Sequence, residues 1–314
     1  MPNAVDRTRL RDLTARELAR FEQDHPRSRE LSERAKANLL AGVPMPWMSE
    51  WAGSYPVFVA EAHGARFTDV DGREYVDLCL GDTGAMTGHA PKEAVEAIAE
   101  QAAKGITHML PTEDAAWVGA EMQRRFGLPF WQFCLTATDA NRFTIRLARA
   151  ITARPKILVF NYCYHGSVDE TILTIEDGVP GPRPGNVGAP VDPTQTTRVV
   201  EFNDVEALEE ALAHEDVACV LAEPALTNIG IVLPEPGYHD ALRRLTRDHG
   251  TYLVIDETHT ICAGPGGATR AWGLDPDFVT IGKPLASGVP AACYGMSAAV
   301  AERTETFMRS LPTT

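Results

Sequence analysis

The stretch Thr251–Lys283 constrains this chain more than any other. It opens with Thr251-Tyr252-Leu253-Val254-Ile255-Asp256-Glu257, an apolar, β-branched run that stops at two carboxylates. A short apolar run bounded by polar residues reads as a fully buried parallel strand. A carboxylate at the C-terminal end of such a strand stands where open α/β sheets bind their ligands. A Gly/Pro-rich loop over 263–268 leads to a second apolar strand, Phe278-Val279-Thr280-Ile281, and then to Gly282-Lys283-Pro284. Lys283 is the only lysine after Lys156, and it stands among small residues and proline rather than on a polar helix face.

Two readings of Asp256 with Lys283 follow. One is a buried ion pair closing the edge of the sheet. The other is a pyridoxal 5'-phosphate site, in which the lysine forms a Schiff base and the aspartate keeps the pyridine nitrogen protonated so that the ring can withdraw electrons. Spacing alone leaves both open.

The surrounding residues separate them. Leu253-Val254-Ile255-Asp256-Glu257, Thr280-Ile281-Gly282-Lys283, Thr136-Ala137-Thr138-Asp139-Ala140, Cys163-Tyr164-His165-Gly166 and Ala222-Glu223-Pro224 fall in one order along the chain. Together they resemble the fold-type I, class III aminotransferase family, which includes glutamate-1-semialdehyde aminomutases. The resemblance runs from about the Phe67–Gly72 segment onward. It implies the pyridoxal phosphate cofactor and an α/β fold of the pyridoxal-phosphate-dependent transferase type, with a mostly parallel doubly wound sheet and a partial small domain.

Composition sets compatible bounds. A chain of 314 residues with 44% hydrophobic content can bury a large core. A net charge of -14 argues against nucleic acid or an anionic membrane surface as partner. The six cysteines sit mostly within apolar runs, without metal-ligand spacing, and read as reduced buried thiols of a cytoplasmic protein. The charged beginning of the chain does not read as a signal peptide, and no stretch approaches a membrane span.

In chain order, residues 5–40 carry helical periodicity broken at Asp24-His25-Pro26. Gly42–Met48 holds two prolines and is irregular. In aminomutases of the resembled family an arginine there grips the substrate carboxylate, and register on Pro46 puts Met48 in its place. A small antiparallel meander is expected over 57–59, 65–70 and 75–78, turning at Asp71-Gly72. Asp82 falls where many relatives place an aromatic over the substrate; it either meets a cationic part of the substrate or caps a turn. His89 reads as a structural hydrogen-bonder.

The turn Thr136-Ala137-Thr138, between a strand at 131–135 and a helix at 141–152, offers backbone N–H groups to an anion, and the cofactor phosphate fits it. The family usually has a glycine where Ala137 stands, so either this turn avoids positive φ or phosphate binding is altered. By the resemblance Tyr164 stacks on the pyridine face, and His165 with Gly166 shapes the turn beneath it. Residues 177–197 read as a long surface loop. Glu223 ends another strand. Asn228 lies where aminomutase-like members bond the cofactor's phenolic oxygen. His259 departs from the family's usual apolar residue, and either adjusts the Asp256 network or occupies the sheet edge.

The expected organisation is N-terminal helices and a small-domain segment over 1–80, a large cofactor-binding domain over 81–300, and the start of a C-terminal small domain over 301–314. The family continues beyond the point where this chain stops at Thr314. The expected activity is amino transfer between a small-molecule amine donor and a keto acceptor, in a homodimer, with Lys283 and Asp256 as the catalytic pair. Aminomutation or racemisation uses the same machinery, and a truncated relative without turnover is the remaining alternative.

Overall fold

A computed structural model describes residues 5–311. The chain divides into two compact units. One comprises the chain up to Gly81 together with Thr87–Ala97; the other comprises Asp82–Met86 and everything from Ile98 onward.

The first unit holds helices α1 (Arg7–Asp24) and α2 (Pro26–Ala35) and a meander of strands β1 (Val59–His63), β2 (Arg66–Asp69) and β3 (Glu74–Val76). The break at His25-Pro26 falls where the sequence places it, since proline suits the first helical position and not an interior one. The first strand runs later than expected, over Val59–His63 rather than 57–59. The Asp71 carboxylate accepts from the Arg27 and Ser28 N–H groups, so the meander turn also caps α2. His89 is a structural hydrogen-bonder as expected, its Nε2 lying 2.6 Å from Asp77 Oδ2. Helix α3 (Lys92–Lys104) begins in this unit and crosses the boundary in sequence.

The second unit is built from α4 (Asp114–Phe126), β4 (Phe130–Cys134), α5 (Ala137–Thr152), β5 (Lys156–Phe160), β6 (Leu173–Glu176) and β7 (Val179–Pro182). It continues through β8 (Thr197–Val200), α6 (Val205–Leu212), β9 (Val217–Ala222), α7 (Tyr238–Asp248) and β10 (Tyr252–Asp256). It closes with α8 (Gly267–Ala271), β11 (Phe278–Ile281), β12 (Ala292–Met296) and α9 (Ala298–Ser310). Seven strands form one sheet in the order β4-β12-β11-β10-β9-β5-β8. All neighbours are parallel except those of β12, which is antiparallel to both β11 and β4. A mostly parallel sheet flanked by helices buries its strands on both faces, and β9, β11 and β12 are buried along their whole length. That burial is why these strands read as unbroken apolar runs.

Two expectations change. The helix after β4 starts at Ala137, four residues before Asn141. The reason is a capping box: Thr136 Oγ1 accepts from the Asp139 N–H at 3.1 Å, and the Asp139 carboxylate accepts from the Thr136 N–H at 3.2 Å. The segment 177–197 is not wholly a loop, because β7 pairs antiparallel with β6. Prolines 180 and 182 mask the strand in the sequence, yet a two-stranded ribbon tolerates donors missing from an edge. Of the cysteines, all free, Cys163, Cys219 and Cys293 are buried, while Cys79 and Cys262 are exposed against the apolar-run reading.

Candidate active site

The ends of β5, β9, β10 and β11 and the start of α5 assemble the site within the second unit. Asp256 ends β10 and is 3% exposed. Its Oδ2 accepts from Asn141 Nδ2 at 2.9 Å and meets His165 Nδ1 at 2.8 Å, while Oδ1 accepts from the Thr258 N–H at 3.0 Å. Burial alone would raise its pKa, but His165, Thr258 and Asn141 outweigh burial and bring it down to about 2. A carboxylate in this setting is charged throughout the physiological range.

His165 is itself 1% exposed. Burial opposes charge on its ring, but Cys163 and the Asp256 carboxylate hold its pKa well above the ordinary value. The Asp256 contact fixes a proton on Nδ1, and Nε2 is buried with no partner among the described residues. His165 therefore reaches the site through Asp256.

Lys283 follows β11. Asp256 and Lys283 are not paired with each other: the carboxylate on Lys283 Nζ is Asp82 Oδ2, at 2.9 Å. The reading of a buried Asp256–Lys283 ion pair is thereby excluded. Lys283 Nζ also lies 2.6 Å from His259 Nε2, whose Nδ1 is 3.0 Å from Thr83 Oγ1. The Lys283 side chain is 21% exposed, and its backbone sits in the left-handed region at φ 45°. Sequence reading placed Asp82 and Lys283 in the site but did not join them.

The turn at α5 settles the question raised by Ala137. Ala137 is the first helical residue and has no positive φ, so alanine meets no strain there. The Ala137 and Thr138 N–H groups point out of the first helical turn with no partner among the described residues. Thr138 Oγ1 accepts from the Ser167 N–H at 3.2 Å. Gly282 presses on this turn: a Cβ built there would lie 2.8 Å from the Ala137 Cβ. Gly166 is likewise indispensable, since a Cβ there would lie 2.1 Å from Thr138 Oγ1.

Tyr164 is half exposed at the end of the β5 loop, so its ring is available as a platform. The Glu223 carboxylate is buried, which raises its pKa, and it ties two loops together by accepting from the Tyr164 and Thr227 N–H groups at 3.4 and 3.2 Å. Asn228 is exposed, and its amide donates to the Tyr162 carbonyl at 3.4 Å. Met48 lies in the first unit, on the short helical turn Pro46–Glu50.

Sequence reading missed Asn141, Thr258 and Thr280, and it weighed His259 for the Asp256 network or the sheet edge, whereas its ring lies on Lys283. Asn141 is fully buried on the core face of α5 beside Thr144, Ile145 and Ala148, held by Thr280 Oγ1 donating to its Oδ1 at 2.8 Å. An asparagine amide at a core position of a helix was the available signal. The residues present fit a flat, phosphate-bearing pyridine aldehyde: an ionised carboxylate for its ring nitrogen, an aromatic face, an anion-accepting helix start and an amine. Among the described residues no cluster of side chains is arranged to hold a metal ion.

Comparison with known proteins agrees with this geometry. Residues 47–310 match the family model described as aminotransferase class-III. The chain is 38% identical over 275 residues to a glutamate-1-semialdehyde 2,1-aminomutase of Sulfurihydrogenibium azorense, covering 86% of this chain and 64% of that protein. The chain thus spans a little under two thirds of the length of that relative. A crystal structure of a glutamate-1-semialdehyde-aminomutase from Pseudomonas aeruginosa PAO1 superposes with a TM-score of 0.95 at 51% identity, covering 98% of this chain and 68% of that one. An omega-transaminase from Sphaerobacter thermophilus superposes with a TM-score of 0.82 at 31% identity, covering 87% and 64%. On the family match and on these relatives together, the chain belongs to the class-III aminotransferase family.

Proposed function

We propose that the protein is a pyridoxal 5'-phosphate-dependent aminotransferase that moves an amino group between small molecules, with Lys283 as the covalent anchor and Asp256 as the partner of the ring nitrogen. The observation that carries the reading is Asp256 itself: a buried carboxylate kept ionised by His165, Asn141 and Thr258, and left unpaired by the nearby lysine. When bound, the cofactor supplies an electron sink for the bond broken at the amine-bearing carbon. The chain's own residues do the rest. Asp256 holds a proton on the ring nitrogen, and His165 and Asn141 keep the carboxylate oriented. Tyr164 packs against one ring face. Thr136, Ala137 and Thr138 receive the phosphate at the positive end of α5. Asn228 stands within the same loop cluster to bond the phenolic oxygen. Lys283 moves a proton to and from the substrate carbon at its Nζ.

Aminomutation is the second reading, favoured by the names of the S. azorense and P. aeruginosa relatives. A further structure of the P. aeruginosa protein is described as a complex with PMP. Against efficient use of glutamate-1-semialdehyde stands the register that puts Met48 in place of a carboxylate-binding arginine. A bidentate arginine contact is worth about 2–3 kcal/mol, or roughly a hundredfold in selectivity. Asp82 is the residue proposed to favour a substrate with a cationic or hydroxylic part. No helix among the described residues is long and apolar enough to cross a membrane, and a cytoplasmic homodimer is the proposed setting. The exposed apolar side chains Ile106, Met109 and Leu110 support a partner surface.

The test is borohydride reduction of the protein loaded with pyridoxal phosphate, followed by peptide mass mapping. The cofactor is expected on the peptide containing Lys283, with loss of the visible absorbance band. Attachment to Lys36, Lys92, Lys104 or Lys156 instead would overturn the assignment.

A further inference from the structure

Lys283 Nζ has two acceptors close by, and they come from widely separated parts of the chain. Asp82 Oδ2 lies at 2.9 Å and His259 Nε2 at 2.6 Å. An ammonium has three donors and no lone pair, so His259 Nε2 must be the acceptor and must carry no proton. The ring proton then sits on Nδ1 and is donated to Thr83 Oγ1, 3.0 Å away. This assignment follows from hydrogen-bonding capacity once Lys283 is taken as the ammonium that its pairing with the Asp82 carboxylate favours.

The backbone points the same way. Lys283, Asp82 and Thr83 all hold positive φ, at 45°, 56° and 74°. None is glycine, and each such residue costs on the order of 1 kcal/mol, which the surroundings must offset. Strain in three residues of one hydrogen-bonded set, with Asp82 on Lys283 and Thr83 on the far nitrogen of His259, marks a constellation that the fold holds in place.

We propose that His259 and Asp82 form a two-acceptor cradle for Lys283, which holds its Nζ in register while the lysine is detached from the cofactor and leaves one N–H donor free for substrate. The proposal rests on the reading of Lys283 as the cofactor-bearing residue and assigns His259 a part in that site. The charged and titratable groups facing His259 are Lys283, Asp82 and Asp256. Glu257, next to Asp256 in the chain, is turned toward Thr260 and the Ala268 and Thr269 N–H groups. Burial and the Lys283 charge both disfavour the imidazolium and lower the His259 pKa, in keeping with a neutral acceptor. No proton has to cross between the two residues for the cradle to act. Lys283 keeps or gives up a proton to substrate, and the acceptors fix where its nitrogen stands when it does.

The experiment uses the full chain stripped of cofactor with hydroxylamine, with histidine labelled in its ring nitrogens. Nitrogen NMR should show His259 as the Nδ1–H tautomer, and Lys283→Met should let its imidazole take up a proton at higher pH. In parallel, acetic anhydride at neutral pH should label Lys283 roughly fivefold faster in Asp82→Asn and in His259→Leu, because each removes a charge-assisted hydrogen bond from the ammonium. His259→Gln, which retains an acceptor, should return the rate most of the way. Labelling of Lys36, Lys92, Lys104 and Lys156 serves as the internal standard for a loosened fold. An Nε2–H tautomer indifferent to Lys283→Met, or equal Lys283 labelling in all variants, would overturn the cradle while leaving the cofactor assignment standing. Borohydride attachment of pyridoxal phosphate to another lysine would instead remove the underlying reading.

Discussion

The two ends of the site are built on different physical terms. At the Asp256 end every polar partner is buried: Asn141, Thr280 and the Asp256–His165 pair lie at or near zero exposure, on the regular elements α5, β10 and β11 or, for His165, just beyond β5. At the Lys283 end the partners are half open. Asp82 is 63% exposed, and Lys283, Asp82 and Thr83 all sit in left-handed backbone outside regular strands. The first arrangement keeps one charge constant, since low dielectric and fixed donors make any change of protonation expensive. The second surrounds Lys283, the group proposed above to be bound, released and reprotonated. A permanent charge belongs in the sheet, and a charge that changes belongs on its rim.

Replacing the permanent charge is the most direct way to break this contrast. Asp256→Asn should lower turnover about a thousandfold, because a neutral amide cannot hold a proton on the ring nitrogen. Cofactor affinity should fall by less than about tenfold, since phosphate and lysine contacts remain. Steady-state assays beside a cofactor titration measure both, and equal losses in the two would mean that Asp256 only anchors.

A second substitution sharpens the contrast through pH. The folded pKa of His165 is raised, so its charge stabilises the fold fully below about 6.5, the unfolded value, and the contribution is lost as pH rises through the higher folded value. His165→Gln should therefore cost stability most in mildly acidic solution, by about 3 kcal/mol for a buried pair deprived of one partner, and less as pH rises. Urea unfolding of both proteins across a pH series gives the difference. A difference that grows with pH would contradict a charged His165.

The smallest effect is expected on the open side. Asn228→Ala removes one long hydrogen bond from an exposed residue, so stability should change by less than about 0.5 kcal/mol. The pH dependence of the bound cofactor's absorbance should nevertheless move, as loss of a bond to its phenolic oxygen would require. An unmoved titration would place Asn228 outside the site.

What the sequence made legible follows the same division. The places of Asp256, Glu223 and Lys283, at or just beyond the ends of buried strands, and of Thr136 at a helix start were legible, because such ends have local signatures in apolar runs and small residues. The capping box that extends α5 back to Ala137 was present in Thr136 and Asp139 but was outweighed by the turn pattern. The bond between Asn141 and Thr280 was not readable, because a contact across 139 residues leaves no local trace. His259 stands only three residues after Asp256, yet its partner is Lys283, a contact set by how the loop folds back and not by any spacing. Strand β7 was hidden by its own prolines.

The close approach of Gly282 to Ala137 joins the loop that carries Lys283 to the start of α5. A Cβ on Gly282 would lie 2.8 Å from the Ala137 Cβ, 3.3 Å from its nitrogen and 3.4 Å from its Cα. The gap between the two backbones is therefore already filled by the methyl group of Ala137. A second methyl at 282 would push the lysine loop and the helix start apart. Ala137 thus acts as a spacer: a side chain with no reactive group of its own sets how closely two reactive segments can stand.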